Sequence, residues 1–176
     1  MYRIKTLLVG IVLFSLAACG SNYRDRDVAI TSMAVFDAEK YAGLWYEIAS
    51  FPVSFQEGCT NTQADYRVVD EDTISVRNSC FRNGALSVIE GSADVVGPGR
   101  LKVRLGNIPF ASDYWVLWVD PDYQTAVVGT PSGRAGWILN RSPDIRADRM
   151  AAARGVLEFN GYDTDQLVMT KQDAAE

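Results

Sequence analysis

The 176-residue chain contains no histidine. That removes the commonest general base, the Ser-His and Cys-His nucleophile pairs, and most transition-metal sites. Carboxylate or lysine chemistry remains available, but no paired-acid motif and no metal-spaced cluster stands out. The composition argues against an enzyme, and no cofactor or metal is expected. A lysine- and arginine-rich run is missing as well. With 17 basic side chains against 22 acidic ones the net charge is −5, a poor basis for nucleic-acid binding, because phosphate contacts need clustered positive charge. Long apolar runs are absent too: the stretch from Leu7 to Leu16 is too short to span a bilayer comfortably as a permanent helix. Cysteine is scarce, and three is an odd number, so at least one thiol has no partner within the chain.

The apolar stretch follows Arg3 and Lys5 and ends at Ala17-Ala18, the layout of a secretory signal peptide. A plain signal peptide would be cut after Ala18, with Cys19 merely next in line. Leu16-Ala17-Ala18-Cys19 also resembles the bacterial lipobox, in which the cysteine thiol receives a diacylglycerol before cleavage and the exposed amine receives a third acyl chain such as palmitate. Each buried methylene contributes about 0.8 kcal/mol, so two or three chains hold a protein on a membrane almost permanently. On this reading residues 1–18 are a lipoprotein signal peptide, Cys19 is the lipidation site, and the polar residues 19–32 are a lipidated tether. Gly20, where an aspartate would resemble an inner-membrane retention signal, points to the cell outer membrane, with the domain facing the periplasm. Removing residues 1–18 takes Arg3 and Lys5, leaving 158 residues with 15 basic and 22 acidic side chains, a net charge of −7. That is enough chain for one domain with a real core.

Cys59 and Cys80 then belong to an oxidising compartment, where paired cysteines normally form disulfides. They flank two alternating runs joined by Asp70-Glu71-Asp72-Thr73. With Val69 opposite Ile74 across that turn, Gln63 faces Cys80 and Cys59 lies just beyond, to be folded back by the loop at 59–62. A structural bond is expected; a reactive thiol pair is the alternative.

After residue 40 the chain reads as short strands between turns, at 43–51, 62–69, 74–81, 85–96, 100–105, 113–119, 124–129 and 135–141. Most connections suit antiparallel neighbours, and a meander of eight closes into an up-and-down barrel. Ser142-Pro143 reads as a helix start, with Ile145, Met150, Val156 and Leu157 on one apolar face and Asn160-Gly161 as the stop. Leu167 to Met169 form a short ninth strand. The expected fold is all-β: an eight-stranded antiparallel barrel with one C-terminal α-helix.

Three motifs in order carry a family resemblance. YAGLWYEIASFP at 41–52 resembles the first lipocalin motif, with Gly43 and Trp45; Asp120-Pro121-Asp122-Tyr123 resembles the second; WILNRSP at 137–143 resembles the third, with Arg141. The chain is similar to the bacterial outer-membrane lipoprotein branch of the lipocalins and to apolipoprotein D. The resemblance implies a lipocalin domain over 33–172, followed by a polar tail at 173–176. It also implies a barrel base built from Gly43, Trp45 and Arg141, with the guanidinium over the indole.

A ligand would sit inside. Alternation from Trp45 and Arg141 turns Glu47, Ala49, Trp137 and Leu139 inward, and the family pattern adds Tyr114, Val116 and Trp118. Tyr66, Ile89, Gly91, Ala93 and Val103 follow by the same alternation. Small residues at 49, 91 and 93 would leave room, while the aromatics line a wall suited to an acyl chain with its polar head near the mouth. The resemblance implies a membrane-anchored lipocalin that binds, stores or transports fatty acids, lysophospholipids or similar amphiphiles. A homodimer with a shared mouth stays open. The alternatives are a lipocalin-fold enzyme acting on a lipid-like substrate and a structural envelope lipoprotein whose barrel is filled.

Overall fold

The computed structural model describes residues 22–173. Eight strands follow one another as a meander: β1 (Gly43–Ser50), β2 (Cys59–Val68), β3 (Thr73–Arg82), β4 (Ala85–Gly97), β5 (Arg100–Leu105), β6 (Ser112–Val119), β7 (Thr125–Gly129) and β8 (Gly136–Asn140). Each pairs antiparallel with the next, and β1 pairs with both β2 and β8, which closes the barrel. The short strand β9 (Val168–Met169) lies against Ala49 and Ser50 of β1. It fills the seam that opens where β2 bulges away at Asn61: the Asn61 N–H donates to the Lys171 carbonyl at 2.8 Å, and Gln172 donates to the carbonyls of Glu47 and Thr62.

The turns at 69–72, 98–99 and 120–124 mark the base of the barrel. The loops at 51–58, 83–84, 106–111 and 130–135 ring its mouth. A single-turn helix, α1 (Ala38–Tyr41), runs under the base, capped by Asp37, whose carboxylate accepts from the Lys40 N–H. Nothing in the sequence pattern pointed to it, since one turn carries no periodicity.

The helix α2 (Ala147–Phe159) begins four residues after Pro143, so Ser142-Pro143 is not its start. The buried Asn140 amide explains the delay, because it donates to the carbonyls of Ser142 (2.9 Å) and Asp144 (3.1 Å) and holds them in a loop. The helix ends as expected, with Gly161 at φ +83°. Leu157 and Ala153 are fully buried against Ile48, Leu117, Val127 and Ile138, with Ile145, Met150 and Val156 at the edges. This second core lies outside the barrel wall.

Residues 22–32 are not a free tether. The Tyr23 ring stacks on Phe51 at 5.1 Å, its hydroxyl donates to the Pro52 carbonyl, and its N–H donates to Gly133. The buried Arg24 guanidinium donates to the carbonyl of Asn160 at 2.7 Å, and Asn160 accepts from the Thr31 N–H. Met33 donates its N–H to Val116. The segment is therefore a strap that starts at the mouth and runs down the barrel to the base. Its partners lie far away in sequence, from 29 residues for Pro52 to 136 for Asn160, which is why polarity alone misread it. Cys19, the expected signal peptide at 1–18 and all but the first residue of the expected polar tail at 173–176 lie outside the described residues.

Candidate ligand-binding calyx

The base is built around Arg141. Its guanidinium carbon sits 3.8 Å from the Trp45 ring centroid. Its nitrogens donate to the carbonyls of Leu44 (2.9 Å), Lys40 (2.9 Å), Tyr41 (3.2 Å), Ala42 (2.8 Å) and Tyr123 (3.3 Å). Trp45 is fully buried and donates its indole N–H to the Tyr41 carbonyl. Gly43 opens β1 at φ +97°, and a Cβ there would press on the guanidinium at 3.2 Å, so glycine answers both demands. One arginine thus ties α1, β1 and the β6–β7 turn to the foot of β8.

Above this plug the inward residues expected to form a cavity divide. Tyr66, Ala93, Val116 and Leu139 are buried in a core with Ile74, Val76, Leu101, Val119, Ala126 and Val128. The lower barrel is filled, and the small side chain at Ala93 is matched by its neighbours. Val103, Tyr114 and Trp137 are only half-buried, and Ile89 is 39 % exposed, so the upper wall stays open toward the mouth. Gly91 faces inward but leaves no space for a ligand: a Cβ there would collide with the backbone carbonyl of Arg104. Its lack of a side chain serves strand approach.

Ala49 and Trp118 are corrected. Both pack in the outer core beneath α2. The register of β1 on β8 slips between Glu47 and Ala49, and that of β6 on β7 slips between Val116 and Trp118. A bulge inserts one residue and reverses the faces beyond it, so strict alternation fails past Glu47 and past Val116.

Glu47 does turn inward, buried, and its carboxylate accepts from Gln56 Nε2 and Thr170 Oγ1, both at 2.6 Å. Gln56, on a 3-10 turn of the mouth loop, also accepts from the Trp137 indole N–H at 3.0 Å. A polar line therefore runs down one wall from the rim. On the adjacent strands Thr62 Oγ1 and Asn78 Oδ1 are buried atoms without a protein partner, on the inward face by alternation with Ala64 and Val76. Sequence reasoning missed Gln56, Thr62 and Asn78, because it treated the interior as a search for apolar and small residues.

At the floor the Tyr114 hydroxyl lies 2.8 Å from that of Tyr41 and 2.9 Å from that of Tyr66. Two contacts engage two of the three hydroxyl protons and leave the third uncommitted within the cluster. Burial pushes the Tyr66 hydroxyl up to about 12 and those of Tyr41 and Tyr114 well above the ordinary tyrosine value. All three are neutral donors and acceptors at physiological pH.

Cys59 and Cys80 are joined, with Cα atoms 5.5 Å apart. The register differs by one from that expected: Val68, not Val69, faces Ile74, and Gln63 faces Ser79. Cys59 already lies in β2, and the bulge at Asn61 (φ 52°), rather than a folded-back loop, brings it to Cys80. The bond pins the start of β2 to the end of β3 at the mouth. It also leaves no free thiol among the described residues.

A closed eight-strand antiparallel barrel, plugged by an arginine–tryptophan pair and open at one end, defines a single-chain calyx. The Lipocalin-like domain family matches residues 36–172, and the chain belongs to the lipocalins, binders of small hydrophobic ligands. It is 40% identical over 147 residues to Temperature-induced lipocalin-1 of Arabidopsis thaliana, covering 77% of this chain and 79% of that one. Outer membrane lipoprotein Blc of Escherichia coli (strain K12) is 31% identical over 163 residues, covering 90% of this chain and 91% of its own. Apolipoprotein D of Oryctolagus cuniculus is 30% identical over 147 residues, covering 78% and 77% respectively.

Proposed function

We propose that this lipocalin is anchored to the outer membrane through an acylated Cys19, facing the periplasm, and holds or carries single-chain amphiphiles such as fatty acids or lysophospholipids. The observation that carries the reading is the division of the barrel interior. A packed lower half ends in a hydroxyl-bearing floor, and above it an open apolar wall of Ile89, Val103, Leu105 and Trp137 is crossed by a polar line from Gln56 to Glu47. Apolar wall with a few placed polar groups suits one acyl chain with its head held near the rim. The anchor rests on the lipobox-like Leu16-Ala17-Ala18-Cys19 and on similarity to a relative named as an outer membrane lipoprotein.

The absence of histidine and of an unpaired described thiol favours binding over catalysis. Native mass spectrometry of protein purified from its own envelope tests the ligand: one amphiphile per barrel is expected, or one per dimer if two mouths meet. A delipidated protein that takes up no long-chain fatty acid at micromolar concentration would sink the reading. Retention of a processed Cys19→Ala chain in the outer membrane would sink the anchor.

A further inference from the structure

The large apolar side chains left in solvent are not spread evenly. Phe55 (60 % exposed), Phe81 (44 %), Leu86 (57 %), Ile108 (56 %) and Phe110 (78 %) all belong to the mouth loops or the strand ends beside them. At the base the exposed residues are aliphatic, Val35, Leu44, Val69 and Val96, while Phe159 lies at the end of α2 and Val168 and Met169 on β9. Part of the rim also projects. β5 ends at Leu105, which pairs with Gly91, so residues 85–90 of β4 extend past their neighbour and are exposed on both faces. Leu86 and Val88 there face away from the lumen, paired with Phe81 and Ser79 of β3. A hairpin with apolar residues on its outer face and no covering element is the signature of an interaction surface.

The strap supplies the partner. Tyr23 is fixed to Pro52 and Gly133, two mouth loops, so the described chain starts at the rim. Cys19 lies four positions before Tyr23, a span that even fully extended reaches no more than about 14 Å. An acylated Cys19 therefore holds the mouth, not the base, against the bilayer. We infer that the open rim seats on the lipid surface, with Phe55, the β3–β4 hairpin and residues 106–111 entering the headgroup layer, so that a ligand passes between bilayer and calyx without crossing water. The contact is carried by these apolar side chains, and a net charge of −7 beyond residue 18 supplies no overall attraction to an anionic surface, so the contact persists at high salt. The inference rests on the anchor reading for its orientation and on the rim for its chemistry.

The test reconstitutes the processed chain in vesicles of phosphatidylethanolamine and phosphatidylglycerol. A photo-crosslinking phenylalanine analogue is placed at Phe55 or Leu86 on the rim, and at Val35 or Val69 at the base. Phospholipid adducts are expected at least about tenfold more often from the rim, unchanged in high salt; Leu86 points away from the lumen, so its adducts do not report a cavity ligand. Equal yields, a reversed ratio, or rim adducts to protein in place of lipid would overturn the inference. If Cys19 proves unmodified, the anchor reading fails by itself, and the same chain mixed with the same vesicles still decides the rim: lipid adducts uphold it, their absence overturns it. Fatty-acid titration of detergent-released protein, run in parallel, reads the cavity separately.

Discussion

Arg141 shows how much of a fold one side chain can organise. It donates to carbonyls from α1, β1 and the β6–β7 turn while stacking on Trp45. Lysine in its place would keep the charge but lose the planar fork and the stack. Removing the other half of the pair is easier to quantify. Trp45→Ala leaves a large void in a fully buried site and is expected to cost about 3–5 kcal/mol, read as a lower denaturant midpoint in chemical unfolding, while leaving the upper wall intact. The tryptophans also separate inside from outside. Trp137 lines the lumen and Trp118 packs beneath α2. Trp137→Phe should therefore abolish the fluorescence change on fatty-acid binding, whereas Trp118→Phe should leave it. The opposite result would return Trp118 to the cavity.

At the scale of elements, the bulges decide what the calyx contains. Each places one extra residue in a strand and sends the next side chain to the other face, which moves Ala49 and Trp118 into the layer under α2. A third, at Asn61, opens the seam that β9 fills and brings Cys59 to Cys80. Because the disulfide closes a loop of 21 residues, its reduction is expected to lower stability by about 3 kcal/mol through the unfolded chain. Unfolding curves with and without reductant measure this. Since the bond ties two strand ends at the mouth and not the plug, the reduced barrel should still fold at moderate temperature with reduced ligand affinity.

For the whole molecule, the three floor hydroxyls link α1, β2 and β6, so their titration reports global closure. Each binds its proton more tightly folded than unfolded, because burial penalises the tyrosinate. The stabilisation is complete below the unfolded value near 10 and is lost as pH rises through the folded value, about 12 for Tyr66. For Tyr66 alone this contribution is on the order of 3 kcal/mol. Alkaline unfolding coincident with tyrosinate absorbance is expected between pH 10 and 12, and Tyr66→Phe should move it upward. Titration of all eight tyrosines near pH 10 with no loss of structure would show the floor hydroxyls to be open to water.

Strand order, the barrel, the plug pair and the disulfide partners were all legible in the sequence. Strand order and the barrel rest on alternation and turn residues, which are local signals; the plug pair rests on the resemblance carried by three short motifs. What the tertiary structure alone decided is where alternation stops. A bulge is selected by the fit of neighbouring strands and leaves little trace in the residues that form it, so the inner face past Glu47 and past Val116 could not be read by counting. The same holds for the strap: the buried Arg24 guanidinium is satisfied by the carbonyls of Pro131 and of Asn160, the latter 136 positions later and 2.7 Å away. The chain's own chemistry determined a closed barrel with an apolar interior. Only packing between distant segments determined which part of that interior stayed open, and that the chain leaves the barrel at its mouth.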